Sequence, residues 1–177
     1  ILATISEIAK RLDTPTLWNG LWCKLALGQD LFENIAKCRA LKKLSQKLFA
    51  GMGLKQRLYL NAVTSQRKWT VEDPESNILR TTISCIAGIW AGVDSLTCLP
   101  YDSLTGESSR RAIRIARNIP IILEKESHLG RVSDPLAGSY YLENYTNEIA
   151  ERAWALFQKI EELGGLDSVI ESGALRG

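Results

Sequence analysis

The sequence predicts an α/β fold built on parallel strands. Three observations predict it. Short, mostly apolar runs of strand length alternate three times with helical periods of about 15 to 20 residues. Each run is closed by Gly, Pro or a polar loop, as buried strands are. Beyond the third unit only helical periodicity continues, so a helical tail follows the strands.

The elements follow in order. Ile1 to Leu12 places Leu2, Ile5, Ile8, Ala9 and Leu12 at helical spacing, and Thr14-Pro15 breaks it. Leu21 to Leu27 reads as the first strand, closed by Gly28. Asp30 is placed to cap a helix whose stripe is Leu31, Ile35, Cys38, Leu41, Leu44 and Leu48, and Gly51-Met52-Gly53 ends it. Its other face, with Lys37, Arg39, Lys42, Lys43 and Lys47, is expected to be solvated. Arg57 to Val63 reads as the second strand, with a polar loop from Thr64 to Lys68.

Asp73-Pro74 is expected to start the next helix, Asp as N-cap and Pro at the first helical position. Leu79, Ile83, Ile86 and Trp90 are its expected inward stripe, and Gly92 its end. Asp94 to Leu99 reads as the third strand, closed by Pro100. A helix from about Ser109 to Ser127 contains Pro120, expected to kink it or start a new turn. A polar loop covers Gly130 to Ser139, and Tyr145 to Leu163 is the last long helix, stopped by Gly164-Gly165. A short helix is expected over Asp167 to Glu171. Doubly wound sheets and (β/α)₈ barrels share this grammar, with crossovers of one hand and both sheet faces covered. Three strands are too few to close a barrel.

Composition removes several function classes. The 177 residues are 45% hydrophobic and 24% charged, enough apolar surface to exclude disorder. No apolar run approaches the roughly 18 residues of a membrane span. A net charge of +2 makes no field that would attract nucleic acid. Cys23, Cys38, Cys85 and Cys98 are widely spaced within apolar runs and read as buried thiols. They point to a reducing compartment, with the cytoplasm, or an organelle matrix, expected. The chain begins at Ile1 rather than Met, and is expected to be part of something longer.

Motifs for chemistry are sparse. Sites in parallel α/β folds lie at the carboxyl ends of the strands, here Gly28-Gln29-Asp30, Asn61 to Ser65 and Pro100 to Ser103. No base stands beside a Ser or Cys nucleophile, and neither glycine pair fits a phosphate loop. His128, the sole histidine, reads as a helix-end cap.

One stretch is distinctive. Thr70 to Thr82 resembles the T-x-x-D-P-x-x-N-x-x-R-T segment of the acyl-CoA mutases that use adenosylcobalamin, above all methylmalonyl-CoA mutase. Ile35 to Ala40, Arg114 to Asn118, and Glu126 to Pro135 running on to Trp154 agree in order and spacing. The resemblance covers about residues 20 to 165. It implies the C-terminal part of a (β/α)₈ TIM-type barrel, about three parallel β-α units over residues 1–128, with a loop and helical segment over 129–177 packing on the barrel or a partner.

Departures from the family pattern set the expected role. Catalytic chains read T-H-S-Q after the second of these strands, whereas Asn61 stands here for His and Val63 for Gln. Substrate-contacting Arg and Ser fall at Gly20 and Trp22. The cobalamin motif D-x-H-x-x-G is absent, since Glu126 precedes His128 by two and Arg131 takes the Gly position. The losses resemble the non-catalytic small (beta) subunit of bacterial heterodimeric mutases. That resemblance implies a catalytic large subunit as partner, adenosylcobalamin held there and none bound by this chain, and no catalytic residue or metal site here. Asn61, Thr64, Ser65 and Tyr101 are the expected rim of a relic substrate pocket. Open sheet edges are expected to favour self-association. A catalytic mutase of altered specificity and a stand-alone helical module remain open as alternatives.

Overall fold

A computed structural model describes residues 1–11 and 21–173. Thr14-Pro15, Gly20 and the last four residues lie outside the described residues. The element order is α1 (Leu2–Arg11), β1 (Trp22–Leu27), α2 (Leu31–Gly51), β2 (Tyr59–Thr64), α3 (Ser76–Trp90), β3 (Ser95–Thr97), α4 (Arg110–Lys125), α5 (Tyr140–Glu162) and α6 (Leu166–Glu171). Strand, helix and tail alternate as the periodicities predict. β3 is shorter than expected, and α5 starts earlier, behind Ser139, because Leu142 is already buried.

The three strands are parallel and lie in the order β1-β2-β3, with Trp22 opposite Tyr59 and Asn61 opposite Ser95. That order decides between the two grammars. A doubly wound sheet needs a reversal of strand order to send helices to its second face. Sequential order with crossovers of one hand puts every helix on the same side, which is barrel grammar. Among the described residues the sheet is accordingly covered on one face only, contrary to the expectation of two. Leu58, Leu60, Ala62 and Thr64 of the β2 segment are buried on the covered side. Trp22 is 62% and Tyr59 41% exposed on the other. This is an open arc of a (β/α) barrel with a helical tail.

α3 packs on all three strands, and α2 packs on α3. The stripe Leu79, Ile83, Ile86 and Trp90 is not the inward one: Leu79 is 72% exposed, and the buried face is Asn77, Thr81, Ser84, Cys85, Ala87 and Gly88. Small side chains let the helix backbone approach the sheet, which bulky ones would hold off. Gly88 marks the closest approach, since a Cβ there would lie 3.2 Å from both Leu27 Cδ1 and Leu96 Cδ1. Gly88→Val is therefore expected to cost about 1–3 kcal/mol by overpacking. Urea unfolding would read this as a lowered midpoint; an unchanged midpoint would mean both leucines swing aside freely.

The basic side of α2 is only partly solvated: Lys43 and Lys47 are exposed, Lys37, Arg39 and Lys42 half-buried. α5 lies along it. Arg39, with its side chain 12% exposed, pairs with Asp134 and with Glu143 at 3.2 Å. Lys43 donates to Asn147 Oδ1 at 2.9 Å, and Lys47 sits 3.9 Å from the centre of the Trp154 ring. Arg39, Lys43 and Lys47 thus meet partners on the tail, whereas Lys37 and Lys42 donate to the Ala26 and Ala91 carbonyls, so α2 lies between α3 and α5. α6 closes against α1 and α5.

Two helix ends also differ from expectation. Asp73 does not cap α3, whose first residue is Ser76; Asp73 and Pro74 form a turn in which their carbonyls accept from the Ser76 and Asn77 amides. α4 runs unbroken through Pro120. No helix among the described residues is long and apolar enough to cross a membrane.

Candidate functional site

The carboxyl ends of the strands open at one end of the sheet. α2 and α3 run antiparallel to the strands, so their N-terminal turns meet these ends. Asp30 caps α2 by accepting from the Glu33 amide at 2.9 Å, as predicted. Behind it buried Asn34 accepts from the Gly28 amide at 3.0 Å and donates to the Asp30 carbonyl. Ser84 donates to the Gly28 carbonyl at 2.6 Å. The turn after β1 is thus held from both flanking helices.

The segment after β2 is held by the motif that the resemblance rests on. Asn77 is fully buried. Its Nδ2 donates to the Thr70 carbonyl at 2.9 Å and the Tyr101 carbonyl at 3.1 Å. Its Oδ1 accepts from the Thr70 amide at 3.2 Å and from Arg80 Nη1 at 2.8 Å. A carboxamide offers two donor hydrogens and two acceptor lone pairs, and all four are used. The T-x-x-D-P-x-x-N-x-x-R segment is therefore a clamp: Thr70, Asn77 and Arg80 join the loop after β2 to the loop after β3.

The loop after β3 is closed by Asp102, whose Oδ2 accepts from the Ser109 amide at 2.9 Å. Burial opposes the charge on Asp102, but the Ser109 amide and the hydroxyls of Ser109 and Ser108 outweigh it and hold the carboxyl below the usual carboxylate range. Gln66 spans the mouth to Ser103 Oγ at 2.6 Å, and Gln29 reaches the Lys68 carbonyl at 3.1 Å.

Between the first two strand ends lies a cleft of about 390 Å³, bordered by Asp30, Glu33, Lys37, Ser65, Arg67 and Lys68 among others. Its charges are mixed: Asp30 and Glu33 are acidic and Lys37 basic on the α2 side, and Arg67 and Lys68 are basic on the loop after β2. The cleft offers hydrogen-bonding groups without a convergent nucleophile, base or cationic cradle.

The four expected rim residues separate into two pairs. Asn61 and Ser65 belong to the open face by the two-residue alternation of a strand. Asn61 sits mid-strand with Nδ2 donating to Ser95 Oγ at 2.6 Å. Ser65 lines the cleft and accepts from the Arg67 amide at 3.3 Å. Thr64 points to the covered face, 1% exposed, and its hydroxyl accepts from the Leu99 amide at 2.9 Å. Tyr101 is buried, and its carbonyl is one of the acceptors of Asn77. Asn77 and Arg80 were in view in the sequence as motif residues, without a role. The signal for Asn77 was a polar residue in the middle of a helix start, where only full pairing makes burial tolerable.

His128 lies beyond the C-terminal end of α4, exposed and in the left-handed region at φ 55°. That is the end of the sheet opposite the mouth. Among the described residues no group of three or more His, Cys, Asp or Glu is arranged to hold a metal ion.

Comparison with known proteins adds the following. The sequence model of the family described as Methylmalonyl-CoA mutase matches residues 5–177. The chain is 40% identical to a methylmalonyl-CoA mutase of Escherichia coli (strain K12), over 83% of this chain and 21% of that protein. It is 37% identical to a methylmalonyl-CoA mutase small subunit of Porphyromonas gingivalis, over 85% of this chain and 25% of that one. With the small subunit of Propionibacterium freudenreichii subsp. shermanii it shares 39% identity, over 80% and 23%. The chain spans between about a fifth and a quarter of the length of these curated relatives.

Proposed function

The chain belongs to the methylmalonyl-CoA mutase family, and from that premise we propose that it is a segment of a mutase small subunit. Its role is structural: it supports a catalytic large subunit that interconverts methylmalonyl-CoA and succinyl-CoA in the cytoplasm. Asn61 carries this reading. Where catalytic chains of the family place His, this chain has an amide, one hydrogen of which is donated to Ser95 Oγ, at 2.6 Å, on the open face of the sheet. An amide cannot take up or release a proton at neutral pH, so it cannot do the work of an imidazole at that position.

Asn61 and Ser65 form the proposed rim of the relic pocket from the open face. Thr64 and Tyr101 support it from behind, through the bonds to Leu99 and Asn77. The residues present do not fit adenosylcobalamin. The sole histidine is exposed at the far end of the sheet, and the mouth presents amides, hydroxyls and mixed charges. No step is routed through that group here; the cofactor, which supplies radical initiation, is assigned to the catalytic partner. The free edges of β1 and β3 are where the remaining strands of the barrel pair, or a second copy where those are missing, and the open face looks into the barrel interior. Residues 129–177 are taken as the segment that packs on the barrel.

The 40% identity to the Escherichia coli protein, whose name carries no subunit term, favours the rival of a catalytic chain. One experiment separates them. The full-length chain is incubated with adenosylcobalamin and methylmalonyl-CoA, first alone and then with the catalytic subunit from the same cell. The expected result is no succinyl-CoA alone and turnover with the partner. Turnover by the chain alone would overturn the proposal.

A further inference from the structure

The four cysteines are far apart in sequence, yet the fold brings two together. Leu96 faces α3, because its Cδ1 is one of the two atoms nearest Gly88. Cys98, two residues on, returns to the same side by strand alternation. α3 runs antiparallel to β3, so the turn preceding Gly88 lies at the level of the residues after Leu96. Three helical residues rise about 4.5 Å and two strand residues about 6.6 Å, a difference that side chains bridge. Cys85 occupies that helical position and belongs to the buried face of α3.

That placement agrees with the electrostatics, in which Cys98 acts directly on the Cys85 thiol. Cys85 is fully buried, whereas Cys98 is partly exposed near the strand-end mouth. We propose that Cys85 and Cys98 are a redox-modification site that closes to a disulfide on contact with a peroxide-class oxidant.

The roles are unequal. The hydrogen bond to Cys98, and then burial, push the Cys85 thiol up, so it keeps its proton. Cys98 is the sulfur an oxidant reaches. Its thiolate attacks the peroxide O–O bond, giving a sulfenic acid and hydroxide. The Cys85 thiol, protonated at rest, passes its proton to the sulfenic oxygen as its sulfur attacks the Cys98 sulfur and displaces that oxygen. The Cys85 proton leaves with it as water. Two electrons pass from the thiol pair to the peroxide, and one S–S bond forms. The cross-link ties α3 to the segment entering Pro100-Tyr101, whose far side Asn77 already holds. Cys23 also acts on Cys38, but Cys38 is fully buried with its thiol pushed up to about 11 by burial, and Cys23 Sγ contacts the Lys24 carbonyl at 3.8 Å.

The test suits the sequence, because no Lys or Arg separates Thr81 from Arg110 and one tryptic peptide carries both cysteines. The full-length chain, in whatever complex it purifies, is treated with stoichiometric hydrogen peroxide under native conditions. It is then unfolded, alkylated and digested. The expected product is peptide 81–110 without alkyl groups and two hydrogens lighter than its thiol form, returning to the doubly alkylated form after dithiothreitol. In Cys85→Ser, dimedone is expected to trap Cys98 as its sulfenic acid. A peptide that stays doubly alkylated while other cysteines oxidise would overturn the proposal, as would a disulfide between Cys23 and Cys38 formed in preference.

Discussion

Asn77→Ala is expected to lower stability by about 3–5 kcal/mol, a melting-temperature loss on the order of 10 °C. The side chain is fully buried and makes four hydrogen bonds. Alanine removes all of them and leaves the Thr70 and Tyr101 carbonyls and the Thr70 amide facing a small void. Each buried group left without a partner costs about 1–3 kcal/mol, and incoming water recovers part of it. Asn77→Asp keeps the acceptors for Thr70 and Arg80 but points carboxylate oxygen at two carbonyls, so it is expected to be no milder. Hydrogen exchange should locate the damage, with amides of the loops around Thr70 and Tyr101 losing protection before those of α2. A loss below about 1 kcal/mol would show that the strand-end loops are held by something other than this clamp.

The clamp separates what sequence could reveal from what it could not. Strands and helices were legible because period-two and helical patterns are local, and Leu21 to Leu27 or the α2 stripe could be read from a dozen residues. Which face of α3 lies inward was not legible. Leu79, Ile83, Ile86 and Trp90 carry the apolar pattern, but the opposite face, with Ala87 and Gly88, allows the closer approach. The basic side of α2 was opaque for another reason: the partners of Arg39 and Lys43 lie 95 to 104 residues downstream. No local window reports a pairing at that separation.

At the site the outcome was mixed in an instructive way. Asn61 was legible by comparison with a motif, and alternation places it on the open face. The same alternation groups Thr64 with Leu60 and Ala62, so its burial was present in the sequence as a matter of parity. The burial of Tyr101 was not, because it follows from a loop closed by Asn77 from a different helix. The meeting of Cys85 and Cys98 needed the antiparallel run of α3 and β3. Sequence spacing alone suggested four unrelated thiols.

A chain ending at His128, without residues 129–177, is expected not to fold. The tail could be regarded as an appendage, since it adds no strand and lies outside the helix layer on the sheet. Its burial argues otherwise. Leu142, Phe157 and Ile160 of α5 and Val169 of α6 are all 9% exposed or less. At about 1.5–3 kcal/mol for each large apolar side chain fully buried, the four contribute roughly 6–12 kcal/mol. A domain's whole margin is about 5–15 kcal/mol, so losing them removes most or all of it. The truncation also strips Leu41 and Leu44 of part of their cover and leaves Arg39, Lys43 and Lys47 without their partners on the tail. The charge partners matter less: Arg39→Met, which breaks the two ion pairs but keeps the aliphatic contact, is expected to cost only about 1–2 kcal/mol. Circular dichroism and sedimentation of the truncated chain would decide, with loss of cooperative melting and aggregation expected. A soluble truncated chain melting cooperatively near the intact temperature would instead make the tail a separable segment. The enclosed α2 would then owe its stability to α1 and α3 alone, although it packs against α5 along its basic side.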